Sequence, residues 1–347
     1  MSAFNIRVLV ADDSPTARAL LVGMLSASSG IEVIGQAKDG AEAVEMTARL
    51  KPDLVTMDIE MPVMNGFDAT RRIMSECPTP IVLVSSLDVR SVEISMEALR
   101  AGALEVIPKP VGPTSPGHAE QARYLAATVR AMSDVRLVRR WSTVAPYKDP
   151  EPAPQAVTQT ARIVAIAAST GGPVALHKLL GDLPVTFAVP ILIVQHMATG
   201  FGDGFATWLD GSVPMPVKVA RLGEPLLPGV AYLAPDGKHL GVSERSTVAL
   251  SDAPPVGGFR PAGTYLFQSV GRVYGTGALG VILTGMGSDG LEGLRTLKAA
   301  GGYVIAQDEA TSEIFGMPGV VVEAGIADRV LPLPRIGEHL VRRTTKA

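Results

Sequence analysis

The chain contains a single cysteine, Cys77, among 347 residues. An internal disulfide framework is therefore excluded, and the composition suits a reducing compartment. Cys77 sits between Glu76 and Pro78 with no histidine near it in sequence, so it reads as structural and not as a nucleophile. Aromatic residues reach only 5%, which argues against an aromatic-rich binding face. A strong charge of either sign is also missing: the net charge is −3, so no global field favours nucleic acid or anionic lipid. No apolar run approaches the roughly 20 residues of a membrane span. The N-terminus lacks the basic-then-apolar layout of a secretory signal. The expectation is a soluble, cytoplasmic protein with no nucleic-acid partner and no direct membrane insertion.

What is present is a long, Ala/Val/Leu-rich chain with 47% hydrophobic residues. That length exceeds one compact core and predicts two domains. Residues 6–110 alternate strand and helix signals. Apolar runs at Ile6–Val10, Ile31–Gly35, Asp53–Met57, Ile81–Val84 and Val106–Ile107 flank helical spacing over 15–27 and 41–50. This rhythm predicts βαβ units around a parallel sheet. Residues 119–141 read as an Ala-rich helix. Residues 142–160 hold several prolines and little hydrophobicity, and read as a linker. From Arg162 a second α/β rhythm begins, with strands at Ile163–Ala167, Val189–Val194, Gly280–Leu283 and Tyr303–Ala306, and helices near 174–180 and 290–299. The stretch 213–274 between them reads as β- and turn-rich. No internal repeat of solenoid period is visible.

Two constellations fall at strand ends. In the second half, Ser169 follows an apolar run and precedes Thr170-Gly171-Gly172-Pro173, with Pro173 suited to the first turn of a helix. A hydroxyl there faces free N–H groups and the positive helix end, which favour an oxyanion. An N-cap or a phosphate-binding glycine loop would explain the same residues. Of the five histidines only His196 terminates an apolar strand; a structural histidine is the plainer reading of that residue alone. Asp289 lies in a Gly-rich loop before a helix, where an Asx-turn or cap is the default role. Together the three give a hydroxyl, an imidazole and a carboxylate at one predicted sheet edge, the set that activates serine for acyl transfer. The chain order Ser, His, Asp and the elbow Ala167-Ala168-Ser169-Thr170-Gly171 differ from the Ser, Asp, His order and Gly-x-Ser-x-Gly elbow of α/β-hydrolases.

In the first half, Asp12, Asp13 and Asp58 each follow an apolar strand, Ser85 ends another, and Lys109 precedes Pro110. Strand-end and capping aspartates are common singly. Converging carboxylates need a cation, and this oxygen set suits Mg²⁺.

Residues 5–122 resemble the receiver domain of two-component response regulators. The resemblance implies that Asp58 accepts a phosphoryl group from a histidine kinase. It also implies that Asp12, Asp13, Asp58 and the backbone carbonyl of Glu60 hold Mg²⁺, and that Ser85 and Lys109 contact the phosphoryl oxygens. Val106 stands where the family often has an aromatic switch residue.

Residues 161–347 resemble the chemotaxis-type protein-glutamate methylesterase/glutaminase family. The resemblance rests on Ala-Ser-Thr-Gly-Gly-Pro at 168–173, Gln-His-Met at 195–197, Ala-Pro at 234–235 with His239, Thr-Gly-Met-Gly-Ser-Asp-Gly at 284–290 and Phe-Gly-Met-Pro at 315–318. It implies Ser169 as nucleophile, His196 as base, Asp289 as orienting carboxylate, and backbone N–H groups near Thr170 and Met286 as oxyanion donors. The implied substrate is a methylated glutamyl side chain, or a glutamine, on a chemoreceptor's cytoplasmic domain, with no cofactor for the ester chemistry. Two positions depart from the usual family pattern. Ala262-Gly263-Thr264 replaces a segment that usually carries Ser and Asp, and Ala198 replaces a common proline.

The combined expectation is an α/β protein of two domains joined by a helix and Pro-rich linker at 123–160. The first is a doubly wound, flavodoxin-like receiver. The second is a Rossmann-like, hydrolase-type α/β domain with a β-rich insertion. A response regulator whose second domain only binds a partner is the alternative, and an activated-serine probe separates the two.

Overall fold

The computed structural model describes residues 5–85, 94, 97, 98, 101–133, 160–197 and 200–344. Residues 142–159 of the expected linker, the last part of the helix expected over 119–141, and Ala198 lie outside the described residues. The chain divides into two compact units, Met1–Arg139 and Arg140–Ala347.

The first unit runs β1 (Ile6–Ala11), α1 (Pro15–Ser26), β2 (Ile31–Ala37), α2 (Gly40–Leu50), β3 (Leu54–Met57), α3 (Gly66–Glu76), β4 (Ile81–Ser85), β5 (Glu105–Pro108) and α4 (His118–Ser133). Its five strands form one parallel sheet in the order β2-β1-β3-β4-β5. Every residue of β3 and β4 is buried, as expected of strands covered on both faces. Local chemistry starts the helices. Ser14, Asp39 and Asn65 occupy the N-cap positions of α1, α2 and α3, and each side chain accepts a hydrogen bond from a backbone N–H of the first turn. From β1 the chain goes to β2 on one side and then crosses to β3 on the other. The crevice at that switch point opens at the carboxyl ends of β1 and β3, where Asp12, Asp13 and Asp58 stand. The boundary expected at residue 122 falls inside α4, whose second half buries Leu125, Ala126, Val129 and Met132.

The second unit runs β6 (Ile163–Ala168), α5 (Gly172–Gly181), β7 (Ile191–Gln195), α6 (Gly202–Ser212), β8 (Val217–Val219), β9 (Ala231–Leu233), β10 (His239–Val242), β11 (Val248–Ser251), α7 (Gly263–Tyr274), β12 (Ala278–Ile282), α8 (Leu291–Ala299), β13 (Tyr303–Gln307), α9 (Met317–Glu323), β14 (Arg329–Leu331) and α10 (Leu333–Thr344). Seven strands form a parallel sheet in the order β14-β13-β12-β6-β7-β9-β8, while β10 and β11 make a separate antiparallel pair. The chain winds outward from β6 through β7 and later returns to β12 on the other side of β6. The switch point therefore lies at the end of β6, immediately before Ser169.

The β-rich reading of 213–274 holds for β8 to β11 and fails at its end, because 263–274 is helix α7. The segment Gly-Thr-Tyr-Leu-Phe-Gln-Ser-Val-Gly-Arg-Val-Tyr is rich in β-branched and aromatic residues, which favour strands locally. Its buried residues include Gly263, Leu266, Phe267, Val270, Gly271 and Tyr274. That spacing is helical, and packing of this stripe overrides the local preference. Leu266, Phe267 and Val270 join Leu294 and Leu297 in the core. A Cβ at Gly271 would come 2.7 Å from Leu297 Cα, and one at Gly293 would come 2.4 Å from Thr264 O. Glycine thus lets α7 and α8 approach backbone to backbone, which brings Gly263 and Thr264 onto Asp289.

Candidate active site and phosphoryl-acceptor cluster

In the second unit, β6 and β7 pair in register from Val164 with Ile191 to Ala168 with Gln195. His196 N donates to Ala168 O at 3.0 Å, and Ser169 N donates to Thr284 O at 3.0 Å. These bonds place the residues just after β6, β7 and β12 side by side. The Gln195 amide ties two of them together, with Nε2 donating to both Ser169 O and His196 O at 2.8 Å. A Cβ at Gly172 would lie 2.0 Å from Gln195 Oε1, so only glycine leaves room for that amide. Gly171, at the cap of α5, has φ 76°, a conformation glycine adopts without a Cβ penalty.

His196 Nε2 lies 2.9 Å from Asp289 Oδ2, with both side chains under one-tenth exposed. An ionised carboxylate only accepts, so Nε2 carries a proton, and in the neutral ring Nδ1 keeps the lone pair. Nδ1 is buried and has no hydrogen-bond partner. Asp289 is saturated. Oδ2 also accepts from Gly263 N at 2.6 Å, and Oδ1 accepts from Thr264 N at 3.0 Å and Gly290 N at 2.8 Å. Burial opposes its charge, but the bonds from His196 and Thr264 and the attraction of the imidazole outweigh that cost and hold the carboxyl below its ordinary range. The altered segment at 262–264 is therefore part of the cradle of Asp289. Thr264 Oγ1 also accepts from Gly290 N at 2.8 Å.

Ser169, Thr170 and Met286 are half-buried around this pair. None of the described hydrogen bonds links Ser169 Oγ to the His196 ring. The backbone N–H groups of Thr170 and Met286 likewise make no described hydrogen bond to protein, as donors kept for a ligand would. Met317 N and Gly316 N both donate to Gly285 O, and that fixes the loop carrying Met286.

Phe259 has no counterpart in the sequence reading. Its ring stacks on His196 with centroids 4.0 Å apart and planes 3° from parallel. The preceding Gly257-Gly258 pair was its one local signal, since such a pair marks a tight hairpin turn. Nothing in the spacing pointed to the histidine.

In the first unit, ligand oxygens of Asp12, Asp13 and Asp58 lie within 4.8 Å of one another. Lys109 Nζ lies 2.7 Å from Asp58 Oδ2 and 2.9 Å from Asp12 Oδ2. Three carboxylates converging within 4.8 Å, with the Lys109 ammonium beside two of them, are an oxygen set that fits a hard divalent cation. Burial raises the Asp58 carboxyl above its ordinary value in spite of Lys109. Burial also opposes the Lys109 charge, but Asp58 and Asp12 more than compensate and raise its value. Ser85 is buried at the end of β4, and its carbonyl accepts from Lys109 N at 2.8 Å. Glu60 is exposed in the loop after Asp58, and its carbonyl accepts no described backbone hydrogen bond. Val106 is buried in β5. Among the described residues no helix is long and apolar enough to cross a membrane.

Both units match known families. The family described as CheB methylesterase matches residues 164–340, and the response regulator receiver domain matches residues 8–115. The chain is 55% identical over 338 residues to a protein-glutamate methylesterase/protein-glutamine glutaminase of Myxococcus xanthus (strain DK1622), covering 96% of each chain. It is 54% identical over 336 residues to one of Anaeromyxobacter dehalogenans (strain 2CP-C), covering 96% of this chain and 98% of that one. The crystal structure of the Thermotoga maritima CheB methylesterase catalytic domain superposes with a TM-score of 0.51 at 40% identity, covering 53% of this chain and 98% of that one. The chain therefore belongs to the CheB methylesterase family, with a response-regulator receiver domain preceding its methylesterase domain.

Proposed function

We propose that this methylesterase uses Ser169 as nucleophile, His196 as general base and Asp289 as the carboxylate that orients the base. The observation that carries the reading is the His196–Asp289 bond. It commits Nε2 to the carboxylate and leaves Nδ1 as the basic nitrogen. Nδ1 takes the proton of Ser169 Oγ while Oγ bonds to the carbonyl carbon of a glutamyl methyl ester, and the π pair moves onto the carbonyl oxygen. The N–H groups of Thr170 and Met286 stabilise that oxyanion. On collapse the C–O bond to the methoxy group breaks, and methanol leaves with the proton from Nδ1. Water then adds to the acyl-enzyme by the same route in reverse, releasing a glutamate side chain and restoring Ser169. With a glutamine side chain the leaving group is ammonia. The protein substrate in this reading is the cytoplasmic domain of a methylated chemoreceptor.

Asp58 is the phosphoryl acceptor in the same reading, and a histidine kinase is the donor. Asp12, Asp13, Asp58 and the Glu60 carbonyl would hold Mg²⁺, which when bound offsets negative charge on a transferred phosphoryl group. Lys109 supplies a second positive charge at that place, and the Ser85 hydroxyl a hydrogen bond. Relatives named for esterase and glutaminase activity weigh against a second domain that only binds a partner.

The test is methanol release from a methylated receptor fragment. Ser169→Ala abolishes release while the melting curve stays close to that of the parent. Near-normal release from a folded Ser169→Ala protein overturns the assignment.

A further inference from the structure

The mechanism above fixes the imidazole at one edge only. A single in-plane bond from Nε2 to Asp289 leaves the ring free to swing about that contact, and Nδ1 has no bond to hold it. The Phe259 ring lies flat against the imidazole, 4.0 Å between centroids and 3° from parallel. We infer that Phe259 is a positioning residue for the reaction: its face holds the His196 ring in the plane that aims Nδ1 at the Ser169 hydroxyl, and it supports the imidazolium formed on proton transfer.

The loop that carries Phe259 is built to hold a ring in one place. Val256 and Phe259 exchange backbone hydrogen bonds of 3.0 and 3.1 Å. They close a two-residue turn whose glycines, Gly257 and Gly258, both have positive φ of 62° and 89°, the requirement of the tightest hairpin turns. Three side chains pin the segment leading from β11 into the turn. Lys238 pairs with Asp252 at 2.6 Å. Arg260 Nη1 donates to Asp252 O and Ala253 O at 3.1 and 3.3 Å. His239, fully buried, has Nε2 3.1 Å from Pro254 O. Phe259 itself remains 37% exposed. Core packing alone does not account for an aromatic ring half in solvent, held by this many anchors, with its face on the base.

The chemistry suits the placement. A parallel aromatic face packs against neutral imidazole and attracts imidazolium through its quadrupole. The interaction strengthens as the proton arrives, so it acts more on the transition state than on the resting enzyme. A one-ångström displacement of a base is enough to cost up to about a hundredfold in rate.

This inference rests on the assignment of His196 as base, and the experiment separates the two. In the full-length protein, Phe259→Leu lowers kcat roughly 10-fold with KM nearly unchanged, and Phe259→Tyr keeps most of the parental kcat because the aromatic face remains. The His196 ring C–H proton resonances, identified by their loss in His196→Gln, lie upfield in the parent and in Phe259→Tyr. They move downfield in Phe259→Leu as the ring current is lost. A parental kcat in a folded Phe259→Leu protein, or a rise in KM alone, overturns the positioning role. Either result alongside an inactive Ser169→Ala protein leaves the triad intact. Full activity of Ser169→Ala overturns the triad, and this inference with it.

Discussion

His196 and Asp289 are 93 residues apart in sequence and joined by a 2.9 Å bond between Nε2 and Oδ2. The bond is made by the ring nitrogen farther from the main chain. The nearer nitrogen, Nδ1, is buried and makes no described hydrogen bond, so it is the nitrogen that the proposed mechanism can use as a base.

Asp289→Asn tests that pairing. An amide cannot accept from all four donors around Asp289, and its NH₂, in place of either oxygen, would oppose two of them. The expected loss in kcat is roughly 10²- to 10⁴-fold through misplacement of the imidazole proton, read by methanol release.

The same carboxyl contributes to stability in a pH-dependent way. Its folded-state value is depressed, so its contribution is complete above the unfolded value of about 4 and is lost as pH falls through the folded value. The melting temperature of Asp289→Asn should lie below that of the parent by a constant margin from pH 7 to pH 5. The two curves should then converge in more acid solution.

Glu105 carries the opposite sign. Burial raises its carboxyl to about 7, against the pull of the bond from Val106 N. An acid whose folded value is raised ionises first in the unfolded chain, so stability falls as pH climbs from about 4 to 7 and stays reduced above. Glu105→Gln removes this titration. The receiver should gain about 1–3 kcal/mol at pH 8 relative to its change at pH 5, measured by thermal or urea melting at the two values.

Gly172→Ala places a methyl group 2.0 Å from Gln195 Oε1. The amide that holds the Ser169 and His196 carbonyls has to move. A stability loss of about 1–3 kcal/mol is expected. At temperatures where the protein is still folded, methanol release should fall at least about tenfold, as expected when reacting groups are displaced.

The metal and phosphoryl chemistry proposed above belongs to the other unit. Adding a small acyl phosphate with Mg²⁺ to the full chain should change the rate of methanol release. Chelating the metal should abolish the change without affecting the rate measured in the absence of acyl phosphate. Asp58→Asn should show no response to the phosphodonor. A response that survives in Asp58→Asn would place the acceptor elsewhere.

Much of this was legible in one dimension. An apolar run that stops abruptly at a polar residue marks the carboxyl end of a buried parallel strand, and Asp12, Asp58, Ser169 and His196 all announce themselves in that way. Helix α7 was obscured because Thr264, Tyr265, Phe267, Val270 and Val273 look strand-like when counted by propensity, although the buried residues of the segment follow a helical stripe. The segment Ala262-Gly263-Thr264 could be seen to depart from its family, but not why that matters. Its N–H groups reach Asp289 only once α7 is a helix packed on α8.

Residue order by itself determined the two parallel-sheet units and which side chains stand at their strand ends, since hydrophobic period and abrupt polar stops are local properties of the chain. Tertiary structure alone decided that Phe259 lies on His196, that Nε2 and not Nδ1 meets the carboxylate, and that Thr264 cradles Asp289. Each of those depends on angles and separations of a few ångströms between segments brought together by packing, and no one-dimensional pattern encodes them.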